Sequence, residues 1–134
     1  MRRVAPLLAL TVVFGLGTAC GGSESRLATL KTDPMATYML PAAVDSRTSE
    51  IVGGTSGVSS PSAVRTTFTV PDGGAANAIE EIARAATDAG WELRQRELIG
   101  FDGDKKIDGI DAQIVIAGID QDDTVWVELS SRSK

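Results

Sequence analysis

Histidine is absent from this 134-residue chain, and cysteine occurs once, at Cys20. The absence of histidine excludes Ser-His-Asp and Cys-His nucleophile systems, a histidine general base, and the usual zinc and copper sites. A single cysteine excludes an intrachain disulfide. The chemistry left to the chain is that of carboxylates, lysine, tyrosine and oxygen-ligated metals, and we expect no cofactor.

The chain also lacks an apolar run long enough to cross a bilayer, which takes ~20 residues. Its longest run, Val4 to Leu16, follows Arg2 and Arg3 and ends at the small residues 17–19. A short apolar run with basic residues before it and small residues after it is typical of a secretory signal. We therefore predict that residues 1–19 are a signal peptide.

The stretch Gly17-Thr18-Ala19-Cys20 resembles the lipobox of bacterial lipoproteins, although Gly17 stands where the family usually has leucine. The resemblance implies cleavage before Cys20 and attachment of a diacylglyceryl group to its sulfur. Two fatty chains suffice for stable anchoring. The implied partner is thus the lipid bilayer, and the implied location is the outer face of the cell membrane. Glycine and serine after Cys20 favour a flexible tether, so we predict a lipidated N-terminus and tether over 20–34 and one domain over 35–134.

Positive charge is also scarce. Removing residues 1–19 leaves 11 basic against 18 acidic residues, a net charge of −7. Nucleic acid and anionic lipid surfaces both attract clustered lysine and arginine. The composition therefore excludes a nucleic-acid partner and leaves the acyl chains to hold the protein on the membrane.

The periodicity of the second half predicts an α+β fold. Ile79, Ile82, Ala83 and Ala86 share one face of a helix spanning about 74–89. Alternating segments predict strands over 65–70, 91–101, 110–116 and 125–129. This β-α-β-β-β order indicates a two-layer sandwich, with one amphipathic helix on a mostly antiparallel sheet of about four strands. We expect residues 35–52 to pack on this core, leaving open whether they add a strand.

An acidic segment is the candidate metal site. Asp102, Asp104 and Asp108 have the D-x-D-x-x-x-D-G spacing that begins a calcium-binding loop. Lys106 and Ile107 stand at the positions of an oxygen ligand and a glycine in that template, and the interpretation we favour is therefore a solvated hairpin turn over 102–106 with no metal.

Two tryptophans are candidates for a binding surface. Trp91 has the parity of the apolar face and is predicted to be core. Trp126 has the opposite parity to Val125 and Val127, so it faces away from the helix. It is either an exposed partner contact, together with Tyr38, or it is covered by residues 35–40. The pattern favours the second alternative, in which residues 35–40 cover Trp126.

Asp33-Pro34-Met35-Ala36 after the lipobox, and Ala89-Gly90-Trp91 after the helix, resemble segments of small uncharacterised lipoproteins of high-GC Gram-positive bacteria. The resemblance implies a location and no activity. We expect a non-catalytic binding or envelope-accessory module acting on an unknown envelope protein or ligand. The alternative is a small calcium-dependent enzyme or hydrolase that uses Asp102, Asp104 and Asp108.

Overall fold

The computed structural model describes residues 22–53, 61–96, 100–119 and 122–132. Within these residues the fold is α+β, with two α-helices packed on a six-stranded antiparallel open sheet. The elements in chain order are α1 (Ser23–Leu30), a 3-10 helix (Pro34–Thr37), β1 (Asp45–Ile51), β2 (Ala63–Thr69), α2 (Ala75–Asp88), β3 (Glu92–Gln95), β4 (Gly100–Ile107), β5 (Ile110–Ile119) and β6 (Thr124–Ser131). The signal segment 1–19 and Cys20 lie outside the described residues.

The strand order across the sheet is β1-β2-β6-β5-β4-β3, and every neighbouring pair is antiparallel. The predicted first strand therefore lies inside the sheet, between β1 and β6. Within the described residues, the sheet has two edges, β1 and β3, and it does not close.

Helix α2 forms as its periodicity predicts. Its buried residues are alanines and isoleucines of one face, including Ile79, Ile82 and Ala86. The helix ends before Gly90, whose φ of 94° is the left-handed conformation that glycine adopts most easily. Opposite α2, Gly118 of β5 has no side chain, so the Ile79 side chain can approach the strand closely.

The predicted flexible tether over 20–34 is wrong from Ser23 onward. Residues 23–30 form α1, whose Leu30 is fully buried and whose Leu27 is 7% exposed. Both leucines belong to the same core cluster as α2 and the central strands. Helix α1 is therefore part of the domain, and the described residues contain two α-helices where one was predicted.

Residues 35–52 pack on the core as predicted, and they also add a strand. Met35 and Ala36 of the 3-10 helix and Leu40 are buried. Strand β1 pairs with β2 along its whole length, yet all seven of its residues are exposed. Because β1 lies at the edge and both of its faces are polar, its sequence has no alternation of apolar residues that could predict it.

The predicted strand over 91–101 and turn over 102–106 are also wrong. Strands β3 and β4 pair antiparallel, with Glu92 opposite Asp104. The predicted turn therefore lies within β4. The next turn is at Asp108 and Gly109, which have φ values of 45° and 83° and lie between the paired residues Ile107 and Ile110. Asp-Gly is the dipeptide that a tight two-residue hairpin favours, because both central residues take positive φ.

The two faces of the sheet differ in whether helices of the described residues pack on them. The face toward α1 and α2, here called the inner face, carries Phe68, Ile114, Ile116, Val127 and Leu129, all at most 1% exposed. Side chains of the opposite parity point to the other side, here called the outer face. In the described residues the two helices contribute to the core on the inner face, and no helix covers the outer face.

Candidate binding surface on the outer face

The outer face has an apolar strip near its centre. Trp126 of β6 lies opposite Thr67 of β2 and Ala117 of β5, and it is partly exposed. Val115 and Ile119 extend the strip along β5, and Ile119 is 46% exposed. The prediction that Trp126 faces away from the helices is confirmed, because Val125, Val127 and Leu129 of the same strand are buried on the inner face.

Trp126 is held in place by a guanidinium group. The Arg65 guanidinium carbon lies 5.5 Å from the centre of the Trp126 ring, a cation–π geometry. Arg65 Nε also donates a hydrogen bond of 2.8 Å to Glu128 Oε2. The ring is thus oriented by Arg65, and Arg65 is oriented by Glu128. This arrangement presents an aromatic surface with charged donors and acceptors at its border.

A second charged group lies beside the strip, on β3 and β4. Arg94 pairs with Asp102 at 3.1 Å and with Asp104 at 2.9 Å, and Arg96 pairs with Asp102 at 3.0 Å. Arg132 reaches Asp104 from beyond the end of β6 at 2.5 Å. Hydrogen bonds to Asp104 and Asp102 raise the pKa of Arg94 above its ordinary value, since they favour the charged guanidinium.

These ion pairs change the interpretation of the candidate calcium segment. Asp102 and Asp104 lie on the outer face of β4, where their carboxylates bond arginines. Asp108 is separate, in the turn between β4 and β5. In the described part of the chain, no three carboxylates, cysteines or histidines cluster in a way that could hold a metal ion. The three aspartates therefore do not form a calcium loop here.

Tyr38 does not join Trp126. It lies on the inner side, where its ring meets Phe68 edge-on with 6.2 Å between ring centres. Burial, with a smaller contribution from the charge of Glu81, raises the pKa of Tyr38. The predicted cover of Trp126 by residues 35–40 is wrong, because this segment packs on the inner face, against β2 and β6. Tyr38 and the exposed Met39 instead line a groove of about 270 Å³ beside Thr48 of β1.

Sequence reasoning did not identify the buried polar cluster around Asp33. Its Oδ1 accepts hydrogen bonds from Met35 N at 2.9 Å and from Trp91 Nε1 at 3.1 Å. Its Oδ2 accepts from Lys105 Nζ at 2.6 Å, and Lys105 also donates to the Ala89 carbonyl at 2.6 Å. Two segments that are far apart in the sequence, 33–36 and 89–91, therefore meet in this cluster. It joins α1, the end of α2 and β4, so its first role is structural.

Comparisons with protein-family models, curated proteins and solved structures find no significant match. Within the described residues, neither helix is both long and apolar enough to span a membrane.

Proposed function

We propose that this protein is a lipid-anchored extracytoplasmic module that binds an envelope component through the outer face of its sheet. The anchor is the acylated Cys20 implied by the lipobox pattern, and the contact surface is centred on Trp126. The observation that carries the proposal is a sheet face that no helix of the described residues covers, with a partly exposed tryptophan near its centre.

The composition of the outer face supports binding. Tryptophan and arginine are enriched at interfaces and at the positions that contribute most to affinity. Here Val115 lies between Glu128 of the Arg65–Glu128 pair and Asp102 of the arginine–aspartate group, and Trp126 is the neighbouring outer residue to Glu128 along β6. An apolar strip with a rim of charged groups can bury an aromatic or aliphatic group of a partner while its border groups set the orientation.

The chemistry of the chain supports a non-catalytic role. No histidine is present to act as a base. Of the three carboxylates that the alternative needs, Asp102 and Asp104 are neutralised by arginines on the outer face, and Asp108 lies apart in a turn. A hydrolase based on these carboxylates would need them free to bind an ion or activate water.

Photo-crosslinking in the native cell envelope tests the proposal. A photoreactive residue replaces Thr67, next to Trp126 on the outer face, and a matched variant carries it at the exposed Arg84 of α2. The expected result is one dominant crosslinked partner from position 67, absent from position 84, and lost when Trp126→Ala is added. Equal crosslinking from both positions, or crosslinks that survive Trp126→Ala, would contradict a binding surface on the outer face.

A further inference from the structure

We infer that the lipid anchor is short and holds the first turn of α1 against the headgroup surface of the bilayer, so that the outer face cannot lie on the membrane. The inference rests on the proposed acylation of Cys20. It adds the orientation of the domain and identifies which of its surfaces meets lipid.

The position of α1 fixes where the anchor ends. Leu27 and Leu30 are in the core cluster, so α1 cannot unfold into a tether without exposing both. The chain after α1 is fixed as well, since Lys31 pairs with Glu50 of β1 at 2.7 Å and Asp33 lies in the buried cluster. Free chain between the lipid and the domain is therefore limited to the residues before Ser23.

The length of that free chain sets the greatest possible distance between the acylated Cys20 and the start of α1. From Cys20 to Ser23 there are three residue steps, and an extended chain covers at most ~3.6 Å per residue, or about 11 Å in all. A tether extending to residue 34, as the sequence pattern indicated, would have reached about 50 Å by the same measure. The short link places the start of α1 at the headgroups.

The same limit excludes the outer face as the membrane contact. Helix α1 packs on the inner face, against β2, β5 and β6. Packed layers are separated by ~10 Å, and the outer side chains add several more ångströms. If the bilayer lay on the outer face, the link would have to pass through or around the sheet, which ~11 Å of chain cannot do. Trp126 is therefore left accessible to a partner.

The net charge of the chain does not favour a different orientation on the bilayer. The chain after residue 19 has a net charge of −7, which repels an anionic surface rather than attracting it. Contact with the bilayer is then set by the covalent link, and we expect it to be insensitive to salt, unlike contact through basic patches.

The single native cysteine makes the test direct, because an introduced cysteine is the only free thiol once Cys20 is acylated. Glu24→Cys in the first turn of α1 and Thr69→Cys on the outer face both replace exposed residues. The full-length lipidated protein is labelled with a fluorophore and reconstituted into phosphatidylcholine vesicles containing a headgroup-quencher lipid. A matched form of the Glu24→Cys variant carries a Gly-Ser insert of about twenty residues before Ser23, which adds ~25 Å of flexible reach.

The expected result is quenching several-fold stronger at position 24 than at position 69, unchanged in high salt and lost in the insertion variant. Equal quenching at the two positions would overturn the short anchor, and so would quenching at position 24 that the insert does not change. If the protein still co-sedimented with the vesicles in either case, the proposed lipid anchoring itself would stand. A protein that fails to co-sediment, with a free thiol at Cys20, would overturn both. Circular dichroism of each labelled variant verifies the fold.

Discussion

Lys105 and Asp33 form an ion pair of 2.6 Å beneath the helices, with the Asp33 side chain 1% exposed and the Lys105 side chain 23% exposed. Because Lys105 also bonds the Ala89 carbonyl, one ammonium group joins β4 to both the α1 region and the end of α2. A cation is favourable at a helix C-terminus, where unpaired carbonyls gather negative charge. The pair thus fixes the position of α1 against the rest of the domain.

Removal of Asp33 should be strongly destabilising. Asp33→Ala leaves Lys105 without its carboxylate and the Trp91 N–H without its acceptor, and loss of one partner of a buried pair costs ~3–5 kcal/mol. Since Lys105 is partly exposed, we expect a loss near ~3 kcal/mol in the free energy of unfolding, measured by urea denaturation. The control is Lys31→Ala, which breaks the exposed pair with Glu50 and should cost less than ~1 kcal/mol. Equal effects of the two substitutions would contradict the structural role of Asp33.

The assignment of α1 to the domain can be tested at Leu30. Leu30→Ala removes a fully buried side chain and should lower the free energy of unfolding by ~2–5 kcal/mol. Ala28→Ser, at an exposed position of the same helix, should stay within ~0.5 kcal/mol. If Leu30→Ala behaved like Ala28→Ser in urea denaturation, residues 23–30 would be a tether and the short anchor would be lost with them.

The raised pKa of Tyr38 predicts how the stability of the fold changes at alkaline pH. Its pKa is raised in the folded state, so the folded protein holds the phenolic proton more tightly than the unfolded chain does. The stability that the protonated Tyr38 gives to the folded state is fully present below the ordinary pKa of ~10. It is lost as the pH rises through the pKa that Tyr38 has in the folded protein. Stability should therefore decline above pH ~10, and Tyr38→Phe should reduce that decline. Because Tyr38 is the only tyrosine, tyrosinate absorbance reports the folded pKa directly, and a value at or below ~10 would contradict the prediction.

Calcium should have no effect on stability. Asp102 and Asp104 are paired with Arg94, Arg96 and Arg132, and Asp108 lies apart in a turn. An ion that binds only the folded state raises the melting temperature as its concentration rises above Kd. We expect the melting temperature with millimolar calcium to match that with a chelator. A reproducible calcium-dependent rise would restore the metal-dependent alternative.

The elements predicted correctly from sequence have one buried apolar face and one face that is at least partly exposed. Helix α2 has isoleucines and alanines on one side, and the middle of β5 and all of β6 alternate between buried inner residues and partly exposed outer residues. The sidedness of Trp126 follows from the same parity. In these segments the local pattern and the tertiary environment agree, so periodicity is sufficient.

The missed elements lack that contrast. Helix α1 buries only Leu27 and Leu30 among mostly polar residues, so its pattern resembles a tether. Strand β4 has charged outer residues, which form ion pairs with β3. Its inner Gly103 adds no apolar side chain to the pattern, since it lies so close to Glu92 and Leu93 that a side chain would clash. The cluster around Asp33 joins residues as far apart in sequence as 33 and 105, a contact that no local pattern indicates.

Mass spectrometry of the mature N-terminal peptide, from protein extracted from the native membrane, tests the anchor on which the proposed function depends. The predicted result is a chain that begins at Cys20 and carries a diacylglyceryl group on the sulfur. A chain that begins elsewhere, or a Cys20 with an unmodified thiol, would contradict it.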